Sequence, residues 1–248
     1  MPKLKLILVI SAVVLALSTV ETQPAERLLP NFAVVPVEQD APWAVEWWRD
    51  RHDAKTKEAG QSEAKLLFVG DSITHGWEDK GAEVWREYYQ SRNAFNLGFA
   101  GDRTEHVLWR LDNGAVDGMN PTLVVLLIGT NNTGQRMDPA VYTAEGIKRI
   151  VTNLRMKLPG ARVLVIGIMP RHFSPLNEMR KRNEEVNRLI SRLDNGDSVQ
   201  YLDIGREFVS EDGTLRKDLM PDLLHPNAAG YRVWAEAMEP AIERMMQN

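Results

Sequence analysis

Leu66-Leu67-Phe68-Val69-Gly70-Asp71-Ser72-Ile73-Thr74 is the stretch on which the fold turns. Four apolar residues run without a break into Gly-Asp-Ser, the pattern of a strand buried on both faces that ends in a tight turn. Open α/β sheets carry their chemistry in the loops at the carboxyl ends of strands, and Ser72 falls in such a loop. Gly70 leaves room for an abrupt turn, and the Asp71 carboxylate suits the backbone N–H groups that need holding there. Ser72 itself is either the N-cap of the next helix or a nucleophile.

Downstream, apolar strand signals alternate with helix signals. A helix is expected at residues 82–90, a strand at 94–97 and a loop at 98–102. Thr104 opens a helix in which Val107, Leu108 and Leu111 share a face. The most apolar strand spans 122–128 and ends in Gly129-Thr130-Asn131-Asn132. A helix at 139–158, a strand at 162–169, a charged helix at 176–194, a strand at 199–204 and a last helix at 227–246 follow. Strict alternation predicts one three-layer α/β/α domain over residues 63–248, built on a five-stranded parallel sheet.

Upstream, residues 26–62 read as a lead-in, irregular through Pro30, Pro36 and Pro42 and helical over 43–57. Trp43, Trp47 and Trp48 are expected to pack the apolar face of that helix onto the domain. Residues 1–25 have the order of a signal peptide: Lys3 and Lys5, an uncharged apolar run over 6–20, then polar Glu21-Thr22-Gln23. The expectation is a secreted or periplasmic protein with no stable membrane insertion once the leader is cleaved. The absence of cysteine excludes disulfides, thiolate metal sites and a Cys nucleophile. A net charge of -4 over 248 residues, with the signs interspersed, speaks against a nucleic-acid partner.

A serine hydroxyl becomes a nucleophile only when a base takes its proton. His225 lies in Pro221-Asp222-Leu223-Leu224-His225-Pro226, just ahead of the last helix, and Asp222 is three residues before it. In a turn the Asp222 carboxylate reaches the His225 ring and fixes its tautomer. Acyl transfer also needs donors aimed at the developing oxyanion. Candidates are the backbone N–H groups of Ser72 and Gly101 and the Asn131 amide, all on loops after consecutive strands. Ile73, Thr130 and Leu224 adjoin these residues and are candidates to crowd an acyl pocket. No His-x-x-x-His pair or similar ligand spacing occurs, so neither a metal nor an organic cofactor is expected.

Gly70-Asp71-Ser72, Gly101, Gly129-Thr130-Asn131 and Asp222-Leu223-Leu224-His225 resemble, in order, the four blocks of the SGNH (GDSL-type) hydrolases. Asn96-Leu97-Gly98-Phe99-Ala100-Gly101-Asp102 and His106-Val107-Leu108-Trp109-Arg110-Leu111 are similar to the platelet-activating factor acetylhydrolase branch, as is Asn132 after the block asparagine. The resemblance implies the flavodoxin-like SGNH fold. It implies Ser72 as nucleophile, His225 as base, Asp222 as orienter, and Gly101 and Asn131 completing the oxyanion hole with Ser72. The expected activity is hydrolysis of short-chain acetyl esters, on a small molecule or polysaccharide, with a lipid ester as the alternative. Oligomeric state is left open, a homodimer being one option. Two rival classes are a flavodoxin-like phosphate-binding module worked by Asp71 and a non-catalytic carbohydrate-binding relative.

Overall fold

The computed structural model describes residues 30–247. The leader expected at 1–25 and the first residues of the lead-in lie outside the described residues. Strands β1 (Leu66–Gly70), β2 (Ala94–Gly98), β3 (Leu123–Leu127), β4 (Arg162–Ile166) and β5 (Val199–Leu202) form one sheet in the order β2-β1-β3-β4-β5. Every pairing is parallel, as expected. The helices are α1 (Trp48–Ala59), α2 (Ser72–His75), α3 (Ala82–Tyr88), α4 (Thr104–Asp112), α5 (Thr130–Gln135), α6 (Ala140–Lys157), α7 (Glu178–Ile190) and α8 (Ala228–Gln247).

The sheet is covered on both faces, which is why its strands read as unbroken apolar runs. Within β1, Leu67 and Val69 join Val124, Leu126, Val163 and Val165 in one cluster, under Trp48, Leu108, Ile150 and Val186 of the covering helices. Leu66 and Phe68 join Leu123, Val125 and Leu164 in the other, against Trp77, Trp234, Met238 and Ile242. Burial of side chains of this size contributes about 1.5–3 kcal/mol each. The two clusters together hold the layers without a disulfide.

Two local readings are corrected. Residues 43–47 form turns, and helix α1 starts at Trp48 rather than Trp43. There the Trp47 indole N–H takes the Trp43 carbonyl at 3.1 Å, a bond to a side chain where a helix would use the backbone. Thr130, Asn131 and Asn132, expected in a strand-end loop, instead open the short helix α5.

Strand order reverses at β1, whose neighbours β2 and β3 lie on opposite sides. The crevice at the carboxyl ends of these three strands is the natural ligand position of such a sheet. Gly70 lets α2 fold back across it. A Cβ at Gly70 would lie 2.2 Å from Thr74 Oγ1 and 2.3 Å from the Leu127 carbonyl, so no other residue fits without movement.

Candidate active site

Asp71, not Ser72, caps α2: its Oδ1 accepts the Ile73 N–H at 3.0 Å. The Ser72 hydroxyl is thereby left for another partner, and it donates to His225 Nε2 at 2.9 Å across 153 residues of sequence. The Asp71 side chain is buried, and desolvation pushes its carboxyl up to about 7, assisted by nearby Asp102 and opposed by Arg171.

His225 is set by its own loop. Asp222 Oδ1 accepts the backbone N–H groups of Leu224 at 3.0 Å and His225 at 2.7 Å, while Oδ2 takes His225 Nδ1 at 2.6 Å. With Nδ1 donating to the carboxylate, Nε2 is the nitrogen left to accept the Ser72 proton. Some burial raises the Asp222 carboxyl, but the His225 N–H, its imidazole and the Leu224 N–H outweigh it and hold the group below the usual carboxylate range. The turn requires Leu223 at φ +66°, a conformation secured by the His172 N–H on the Leu223 carbonyl at 2.9 Å. Asn227 starts α8 by accepting the Gly230 N–H at 3.0 Å. Tyr231, one residue beyond, donates its hydroxyl to the Ile73 carbonyl at 2.7 Å and so ties α8 to α2.

The three expected oxyanion donors follow β1, β2 and β3, at the carboxyl ends of neighbouring strands. Among the described residues, neither the Ser72 nor the Gly101 backbone N–H has an acceptor. Gly101 adopts φ +77°, which glycine takes without strain. Asn131 Nδ2 gives one hydrogen to the Asp102 carbonyl at 2.9 Å, orienting an amide that is only 6% exposed. The loop itself is anchored through Asp102, whose carboxylate takes Arg110 Nε at 2.8 Å and the Trp48 indole at 2.6 Å. Burial pushes the Asp102 carboxyl up to about 6 against the pull of those two donors.

The neighbours expected to crowd an acyl pocket behave differently from one another. Ile73 turns into the core with Phe68 and Trp77 and is 1% exposed. Thr130 is equally buried, near Arg171 and Asn183. The phase of α2 and α5 points both inward, so neither walls an open cleft. Leu224 is half-buried beside His225. Trp43 is the residue that reading from spacing missed: it is 53% exposed and its ring lies on Gly101. Of the three tryptophans expected to pack onto the domain, Trp48 is buried in the core, Trp47 is half-buried against it, and Trp43 alone is exposed. Among the described residues no three His, Asp or Glu side chains group as a metal-ligand set, and no helix is long and apolar enough to cross a membrane.

Known proteins share this arrangement of chain. The GDSL-like Lipase/Acylhydrolase family matches residues 68–233. Human platelet-activating factor acetylhydrolase IB subunit alpha1 is 35% identical over 227 residues, covering 91% of this chain and 92% of its own. A GDSL-like lipase from Bacteroides thetaiotaomicron superposes with a TM-score of 0.62 at 18% identity, covering 78% of this chain and 97% of its own. Axe2, an acetylxylan esterase from Geobacillus stearothermophilus, does so with 0.57 at 17% identity, over 75% and 94%. The last two share the fold, and the family match with the acetylhydrolase relative bears out the resemblance to the GDSL-type hydrolases.

Proposed function

Because the chain belongs to the GDSL-like lipase/acylhydrolase family and is a carboxylic ester hydrolase, we propose that Ser72, His225 and Asp222 are its catalytic triad. The observation that carries this reading is the unbroken chain from Ser72 Oγ through His225 to Asp222, at 2.9 and 2.6 Å. His225 takes the Ser72 proton as Oγ attacks the ester carbonyl, and the oxyanion rests on Ser72 N–H, Gly101 N–H and the Asn131 amide. His225 then returns the proton to the leaving alcohol. The same base activates water, which releases the acid and restores Ser72.

A short acyl group, acetyl above all, is the reading we adopt. Ile73, Trp77 and Tyr231 fill the interior behind Ser72, each 1% exposed, which supports a shallow acyl site. For the alcohol we propose a carbohydrate, in keeping with a secreted or periplasmic enzyme bearing the leader read at residues 1–25. A lipid ester is the second reading, favoured by the near full-length similarity to the acetylhydrolase subunit. Fluorophosphonate labelling, with Ser72→Ala as control, tests the triad. Turnover of O-acetylated xylo-oligosaccharides against an sn-2 acetyl ether phospholipid decides the alcohol, and cell fractionation decides the location.

A further inference from the structure

Trp43 is 53% exposed, while Trp48, Trp77 and Trp234 are at most 1% exposed. Its position is fixed all the same, because the segment carrying it is fastened to the Gly101 loop at three points. Gln39 Nε2 donates to the Gly101 carbonyl at 3.2 Å, and the Trp48 indole donates to Asp102 at 2.6 Å. The Trp43 ring itself lies so near Gly101 that a Cβ there would be 2.0 Å from its Cη2. Trp47, half-buried against the core, continues the shelf, with ring centroids 6.3 Å apart and planes at 33°. The Trp47 ring is in turn 6.0 Å from His75, the last residue of the helix that Ser72 begins. An aromatic shelf thus runs from an oxyanion donor along the nucleophile's own helix.

The chemistry around the shelf selects its occupant. Burial, with Arg51 close by, holds His75 down at about 4, so the shelf is uncharged at neutral pH. Glu78, the carboxylate nearest His75, is already engaged by Arg51 at 2.9 and 3.0 Å, which leaves little for a cationic head group. On the Asn131 side, exposed Gln135 donates to Asn131 Oδ1 and accepts from Arg103 Nη1, both at 3.2 Å. A flat aromatic face with planar amide and guanidinium groups nearby suits a neutral ring that has a C–H face and a hydroxylated rim. We infer that Trp43 and Trp47 form the leaving-group subsite, on which the pyranose ring of an O-acetylated saccharide stacks with its ester carbonyl at Ser72. This rests on the esterase reading above and names the alcohol side of the same site.

The test compares kcat/KM for an O-acetylated methyl xylopyranoside with that for ethyl acetate, which has no ring, in the full chain and in Trp43→Ala, Trp43→Phe and Trp47→Ala. The wild type should prefer the pyranoside. Trp43→Ala should lower the ratio of the two constants about fivefold to tenfold, chiefly through KM, and Trp43→Phe should recover most of it. An equal fall on both esters would mean that Trp43 only braces Gly101, and would overturn the subsite. So would an unchanged ratio in folded Trp43→Ala, a wild type indifferent to the ring, or a preference for acetylcholine over both. No turnover of any ester, with no labelling of Ser72 by a fluorophosphonate, would overturn the esterase reading and the subsite with it, a result distinct from loss of ring preference alone.

Discussion

Asn131 and Asn132 are consecutive on α5 and send their amides to different places. Asn131 gives one hydrogen to the Asp102 carbonyl at 2.9 Å and accepts from Gln135 Nε2 at 3.2 Å. Asn132 faces the interior, where Nδ2 reaches Thr104 Oγ1, Glu105 Oε2 and Asp138 Oδ2 at 3.1–3.2 Å and Oδ1 takes the Thr104 N–H at 3.0 Å. The pair separates rate from stability. Asn131→Ala should lower kcat by about 10²- to 10³-fold with little change in KM. Asn132→Ala should instead destabilise the fold by about 3 kcal/mol, since it strands buried polar partners, and lower Tm by roughly 6–12 °C. Steady-state kinetics per folded molecule and thermal melts on both variants check this. A lower Tm with unchanged kcat in Asn131→Ala would remove that residue from the site.

Ser72→Ala should abolish esterase activity, by at least about 10³-fold in kcat, without loss of stability. The second half follows from Asp71, which already supplies the helix cap that a serine in this position would otherwise provide. A p-nitrophenyl acetate assay beside a thermal melt reads both halves, and near wild-type turnover in the variant would end the nucleophile assignment.

Asp222→Asn keeps the shape of the His225 turn but removes the carboxylate from Nδ1. The wrong ring nitrogen is then protonated, and kcat should fall about 10³- to 10⁴-fold. Stability should hardly move, because the Asp222 and His225 side chains are 57% and 41% exposed and such pairs contribute little. A large drop in Tm would show instead that Asp222 serves the loop.

Asp71 makes stability depend on pH in an unusual direction. Its folded carboxyl is held up at about 7, above its ordinary range, so the folded state keeps a proton that the unfolded state has lost. The contribution of Asp71 is therefore fully present below the unfolded value near 4 and is lost as pH rises towards 7. Asp71→Asn retains the oxygen that caps α2 and removes this titration. Relative to wild type, the variant should gain stability between pH 5 and pH 8, by about 2–3 kcal/mol. Denaturant melts at the two pH values measure the difference; a gap that stays constant with pH contradicts it.

Acyl length is the fifth test. With Ile73, Trp77 and Tyr231 packed behind Ser72, kcat/KM for an octanoate ester should be at least about 10²-fold below that for the acetate. Equal constants would replace the acetyl reading with a general lipase.

The sheet was legible because β1, β3 and β4 are continuous apolar runs closed by glycine or proline signals. The Asp222 turn was legible because Asp-x-x-His is a local relation, settled within four residues. What the spacing could not supply was direction. Ile73 and Thr130 adjoin the site in sequence, yet the phase of two short helices turns them inward. Trp43 fits a helical stripe with Trp47 in sequence, yet the Trp47 indole caps the Trp43 carbonyl and the segment folds as turns. That single side-chain bond accompanies the change from a core tryptophan to an exposed one on Gly101. Tertiary contacts such as Trp48 on Asp102 leave no periodic trace in the chain.

The separation of 153 positions in sequence between Ser72 and His225 has a consequence for biogenesis. The serine loop follows the first strand and the histidine loop directly precedes α8, so a ribosome delivers one half of the proposed reactive pair long before the other. A nascent chain with its first three strands already formed has Ser72 but not His225. On the proposed triad, hydrolysis requires α8 to dock so that Tyr231 meets the Ile73 carbonyl. Turnover by that proposed triad can therefore be used to time the docking of α8 onto the serine loop.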